Sequence, residues 1–208
     1  MVVAVGVGLI AAGGPGSRLE MVTMAMVVLA VVAPAVLVAG RAGRGIDRWL
    51  RGAAAEEATA RVLERLPPRK WTVWHDLRVP GSRANIDHVA IGPTGVWLVD
   101  TKSTRAPVRA TRWSVRFGDR RLDTTATRWE AGVLGDRLGV PTRPIVAVHG
   151  PGMRRRGGRA QGVPAVPVDR LLRRLRRGRR RLAGADIEAL AGLVEAEFEA
   201  AERPRLHG

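Results

Sequence analysis

Hydrophobic spacing divides the chain into stretches of different kinds. Residues 21–40, MVTMAMVVLAVVAPAVLVAG, are apolar throughout and carry no charge. Twenty residues at 1.5 Å rise cover about 30 Å, the thickness of a bilayer's hydrocarbon core. A transmembrane helix is therefore expected there, with Pro34 tolerable inside it. Residues 2–13 are also apolar but reach only about 18 Å. They are a short hairpin partner, or an extension ahead of a start at Met21, Met24 or Met26. A cleaved signal peptide fits less well, because a basic leading segment is missing.

From residue 52 the pattern becomes periodic. Residues 52–66, GAAAEEATARVLERL, are alanine-rich and amphipathic, and Pro67-Pro68 ends them, which predicts a helix. Strands are expected at 71–77, 85–91 and 96–102, the last two joined by the turn formers Gly92-Pro93-Thr94-Gly95. A further strand is expected within 108–117. A helix at 124–139 carries Trp129, Val133 and Leu138, and a buried strand follows at 143–149. An Arg/Gly loop covers 150–162, a short strand 163–166, and helices 169–177 and 186–202. This order predicts one α/β domain with a mixed sheet flanked by helices.

Charge sharpens the segmentation. The net charge is +16, and Lys70 and Lys102 are the sole lysines among 35 basic residues. Residues 1–40 hold only Arg18 and Glu20, whereas Arg41, Arg44, Arg48 and Arg51 follow the apolar run. The positive-inside rule then places 41–208 on the cytoplasmic side of a single-pass, or hairpin, membrane protein. The expected organisation is an anchor at 1–40, a basic juxtamembrane linker at 41–51 and a folded domain at 52–150. An Arg-rich loop and helix at 151–181 and an acidic helix and tail at 182–208 complete it. Cysteine is absent, which excludes disulfides, thiolate metal sites and a cysteine nucleophile.

Arg173, Arg174, Arg176, Arg177, Arg179, Arg180 and Arg181 crowd one segment. Three readings stay open: a nucleic-acid backbone patch, a contact with anionic lipid, or a solvated basic face. Gly6-Val7-Gly8 mimics a dinucleotide fingerprint but lacks the acid such a site needs some 20 residues on, so no nucleotide cofactor is expected. No P-loop, H-E-x-x-H or G-x-S-x-G motif occurs. His88 is expected to be a structural histidine on the face opposite Asp87, and His75 and His149 to stand alone at strand ends. The tryptophans are expected to be packing residues, with Trp49 a candidate for the membrane interface.

The hairpin carries the sharpest inference. If Ile91 faces Val96, the register sets Asp87 across from Asp100 and Asn85 across from Lys102. Opposed residues project on one face with Cβ atoms about 5 Å apart. Two carboxylates held that way repel, so one takes a proton or a cation sits between them. Oxygen-only ligands suit Mg²⁺ or Mn²⁺. On the helix, Ala55, Ala58, Thr59, Val62, Leu63 and Leu66 form the apolar stripe, and Glu56 lies at its edge. Glu56 is therefore expected to offer the same ion a third carboxylate, while Glu57 pairs outward with Arg61.

Gly52-Ala-Ala-Ala-Glu56, Asn85-Ile-Asp-His-Val-Ala-Ile-Gly-Pro-Thr-Gly-Val96 and Val99-Asp-Thr-Lys102 together resemble the nuclease-related domain, NERD. That family is assigned to the PD-(D/E)XK, restriction-endonuclease-like superfamily. The resemblance covers roughly residues 50–150, and WEAGVLGDRLGV and RPIVAVHG extend it. It implies a restriction-endonuclease-like core with Glu56, Asp87, Asp100 and Lys102 as catalytic residues and Mg²⁺ or Mn²⁺ as cofactor. Nucleic acid, DNA in the first instance, is the implied partner. Ala55 stands where a glycine is common, and STRAPV replaces the usual aromatic and glycine after Lys102. The rival expectation is a non-catalytic module that keeps the fold and binds nucleic acid or an anionic membrane.

Overall fold

A computed structural model of the chain describes Met26, Ala30, residues 45–154 and residues 156–200. It has two compact units, Met1–Trp49 and Leu50–Gly208. In the first, Met26, Ala30 and residues 45–49 are helical. Among the described residues no helix is long and apolar enough to cross a membrane. The expected anchor at 21–40 lies, apart from Met26 and Ala30, outside the described residues, so the transmembrane helix has no structural support.

The second unit begins with helix α1, residues 50–63. Three antiparallel strands follow: β1 (Thr72–Arg78), β2 (Asn85–Gly92) and β3 (Gly95–Ser103). Next come β4 (Val108–Ala110), β5 (Val115–Phe117) and β6 (Arg120–Arg121), which form a separate small sheet. The single strand expected within 108–117 is thus a hairpin, turned at Thr111–Ser114, where Thr111 accepts and donates at both ends of the loop. Helix α2 (Thr125–Leu138) leads to β7 (Thr142–His149), β8 (Gly158–Ala160) and β9 (Val163–Pro167). Helices α3 (Leu171–Arg176) and α4 (Gly184–Glu197) precede a two-residue strand, β10 (Glu199–Ala200).

The main sheet runs β10-β1-β2-β3-β7-β9-β8. The β3–β7 and β7–β9 pairs are parallel and the rest antiparallel, so the sheet is mixed and flanked by helices, as the sequence predicts. The Arg-rich stretch and the acidic helix belong to the same compact unit as residues 52–150.

Strand alternation sorts the core into layers. Ala90, Trp97, Val99, Ile145 and Ala147 meet Leu63, Leu66, Leu171 and Leu175 on the α1 and α3 face. Val89, Ile91, Val96 and Leu98 meet Ala131, Leu134 and Leu138 of α2 and Ile187, Leu190 and Val194 of α4 on the other. The stripe read from the α1 sequence is confirmed, with Ala55, Thr59, Leu63 and Leu66 buried. Trp71 and Trp97 are buried as packing residues should be, but Trp113 is 74% and Trp129 49% exposed. Trp129 lies off the Thr127–Ala131–Leu134–Leu138 stripe that faces the sheet.

Candidate active site

The β2–β3 turn sets the geometry. Gly92 pairs with Gly95, which leaves Pro93 and Thr94 at the tip, and Gly95 takes a left-handed φ of 120°. Gly92 has no room for a side chain: a Cβ would lie 2.2 Å from the buried Trp71 ring. Thr94 locks the turn, donating to the Leu175 carbonyl at 2.6 Å and accepting from Trp97 Nε1 at 3.0 Å. The register is the expected one, Ile91 with Val96 through His88 with Val99. The ladder ends at that pair, and Asp87 and Asp100 lie one residue beyond it on their strands.

Asp87 Oδ2 accepts the backbone N–H of Thr101 at 2.7 Å. Asp100, almost fully buried, receives Lys102 Nζ on Oδ1 at 2.6 Å and Thr127 Oγ1 on Oδ2 at 3.1 Å. Burial, then the charge of Asp100, pushes the Asp87 carboxyl up to about 7; Glu56 adds to the rise, and the Thr101 N–H and Lys102 oppose it. Burial works against the Lys102 charge, but Asp100 beside it holds the ammonium above its ordinary value.

α2 packs beside the acid pair and contributes two further polar side chains. Thr127 on its first turn faces the sheet, and Glu130, one turn on, is half-buried. Burial and then Asp100 raise the Glu130 carboxyl, while Lys102 lowers it. Neither Thr127 nor Glu130 is among the residues expected from the sequence.

Glu56 departs from expectation. α1 covers the opposite sheet face, the one carrying Ala90 and Val99, and Glu56 itself is exposed. Its charge reaches Asp87, but among the described residues no group of three acidic or histidine side chains could share a metal ion. Asp87 and Asp100 remain as two hard oxygen donors, and Mg²⁺ commonly takes one or two carboxylates with waters and substrate phosphates supplying the rest. In donor type and charge the pair fits such an ion. The outward Glu57–Arg61 ion pair is present at 2.9 Å.

The histidines are not alone. His88 is buried on the face opposite Asp87, with Nδ1 2.8 Å from His75 Nδ1 and Nε2 3.3 Å from Thr101 Oγ1. His149 Nε2 lies 2.8 Å from Thr59 Oγ1, and burial lowers its pKa. Sequence reasoning misses these three contacts because each joins different elements of the fold.

The arginine segment wraps around α3 and the turn end of the β2–β3 hairpin. Leu171 and Leu175 bury one side of α3; Arg173, Arg174 and Arg177 line hollows beside it. Arg181 instead docks its backbone N–H on Pro93 O at 2.7 Å, at the turn end of the hairpin. Arg176, Arg179 and Arg180 are exposed.

Residues 51–146 match the family model of the nuclease-related domain, NERD. This part of the chain is thus similar to the nuclease-related domain family, and it contains Glu56, Asp87, Asp100, Lys102, Thr127 and Glu130. The chain is also similar to an uncharacterized protein of Bacillus anthracis, at 29% identity over 103 residues, 46% of this chain and 47% of the relative. The chain thus matches about half the length of that relative. No solved structure matches it.

Proposed function

We propose that this protein is a metal-dependent nuclease that hydrolyses phosphodiester bonds of nucleic acid at the Asp87–Asp100–Lys102 pocket. The observation that carries the reading is the Asp87 carboxyl raised to about 7 beside Asp100. Burial is its first cause and the neighbouring Asp100 charge its second, and a divalent cation between the two carboxylates would offset both. Asp87 and Asp100 would hold Mg²⁺ or Mn²⁺. Such an ion supplies an acidified water and charge neutralisation on a phosphate oxygen.

The protein's own groups do the positioning. The Thr101 N–H and Thr127 Oγ1 fix the two carboxylates, and Lys102 offers an ammonium to a phosphate oxygen as charge builds on it. Glu56 and Glu130 raise the negative potential at the rim. The test is cleavage of plasmid and single-stranded DNA, and of RNA, by the full chain with Mg²⁺ or Mn²⁺ and with EDTA. Cleavage that is abolished by EDTA and by Asp100→Asn supports the reading; none with either metal overturns it.

A second reading is a nuclease fold that binds nucleic acid without cutting. The close Lys102–Asp100 ion pair favours it, because the ammonium and Thr127 already occupy both Asp100 oxygens. Nucleic-acid binding without cleavage under either metal is its expected outcome. Residues 21–40 are proposed as the membrane anchor in both readings; alkaline carbonate extraction of membranes tests this.

A further inference from the structure

Away from the acid pair, two adjoining hollows lie along the β8–β9 edge of the sheet. One, of about 820 Å³, is walled by Arg112, Arg154, Arg156, Arg159 and Arg174. The second shares Arg156, Val166 and Arg174 with it and adds Arg170, Arg173 and Arg177. No acidic residue lines either.

The wall is rigid. A Cβ on Gly157 would lie 2.2 Å from Ala165 O, and one on Gly158 2.5 Å from Thr111 O, so the loop after β7 is pressed onto β9 and the small sheet. Within the groove Arg170 pairs with Asp169 at 3.4 Å and Arg159 donates to the Gly162 carbonyl at 2.7 Å, while no acidic side chain among the described residues lines the hollows themselves. Arg174 Nε is buried and makes no hydrogen bond among the described residues. Burial, then Arg181 and Arg174, lower the pKa of neighbouring Arg143. A buried donor without a partner is unfavourable, more so when charged, and an anionic oxygen removes that penalty.

The ligand's class follows from extent and from the rim. Arginines spread over two joined hollows exceed what one small anion contacts and suit a line of phosphates. At the rim Trp113 is 74% exposed, with the Arg112 guanidinium stacked 4.7 Å from its ring centroid. An exposed indole beside a cationic groove is a stacking platform for an unpaired base. The loop carrying Arg154 and Arg156 leaves β7 at His149, which pairs with Ser103, the residue after Lys102.

We infer that this groove is a second nucleic-acid contact, gripping the phosphates of a single strand whose bases stack on Trp113. It extends the nuclease reading by naming a substrate class, and rests on that reading only for the link to cleavage.

Binding is measured on the full chain in EDTA, by anisotropy of a labelled single-stranded oligonucleotide, so that cleavage plays no part. Arg156→Gln/Arg174→Gln is expected to weaken binding about tenfold and to lower the slope of log K against log salt by about 1.4, two contacts' worth. Trp113→Ala, at an exposed position that folding tolerates, is expected to weaken it about tenfold. The control pair Arg69→Gln/Arg83→Gln, exposed and outside the groove, should change it less than about twofold. The inference is overturned if the groove pair behaves like the control, or if duplex binds tighter and Trp113→Ala has no effect. It is equally overturned if the groove pair loses only binding to phosphatidylglycerol vesicles. Groove-dependent binding without Mg²⁺-dependent cleavage leaves the groove standing and removes the catalytic reading. Cleavage together with groove-independent binding does the reverse.

Discussion

Asp87 reaches from β2 to accept the backbone N–H of Thr101 on β3, at 2.7 Å. That bond ties the first acid to the residue between Asp100 and Lys102. Three polar side chains are thereby held by one strand pair rather than by a flexible loop.

The first consequence is an unusual pH dependence. Asp87 ionises near 7 when folded and near 3.8 when not. Between those values the folded chain keeps a proton that the unfolded chain has lost. The stability contribution of Asp87 therefore falls as pH rises from about 4 to 7, by at most about 4 kcal/mol. Asp87→Asn keeps an oxygen for the Thr101 N–H and removes the titration. In EDTA its melting temperature at pH 8 should exceed that of the native protein, with the gap closing toward pH 4; thermal melts across pH check this.

Metal affinity and chemistry should separate between Asp100 and Lys102. Mg²⁺ or Mn²⁺ is expected to raise the melting temperature of the native chain and of Lys102→Met, but not of Asp100→Asn. Both variants should lose cleavage. A metal-induced shift that survives Asp100→Asn would contradict the assignment of the carboxylate pair.

Gly92 should tolerate no side chain. The Trp71 ring that a Cβ would strike is itself buried, so it cannot swing aside. Gly92→Ala is expected to cost about 1–3 kcal/mol by overpacking. Denaturant titration measures the loss, and Gly52→Ala, in open space on α1, is the comparison, expected to be neutral to stabilising by up to about 1 kcal/mol.

Thr94→Val should be costly for a different reason. It is nearly isosteric yet leaves the Leu175 carbonyl and Trp97 Nε1 without the partner each now has. Buried orphaned groups cost about 1–3 kcal/mol, so a loss near 2–3 kcal/mol is expected. Thr94→Ser, which keeps both bonds, should recover most of it.

Much of the hairpin was legible because a short turn and a period of two leave little freedom. Once Ile91 meets Val96, the acids must share a face. The amphipathic pattern of α1 likewise gave its buried stripe. It could not say which sheet face that stripe covers, and so could not place Glu56 relative to the acid pair. Thr127 and Glu130 were out of reach because they meet Asp100 across a layer; the Thr127–Ala131–Leu134–Leu138 stripe was the available signal. The three residues of β8 lie inside an Arg/Gly run too short and too polar to read as a strand.

The division of the sheet into two faces makes its chemistry and its sealing inseparable. Were β3 to slide by a single position, Asp100 and Lys102 would be driven under α1 while Trp97 and Val99 came out beneath α2. Any variant that folds with an intact hydrophobic interior must therefore also present its acids on the working side.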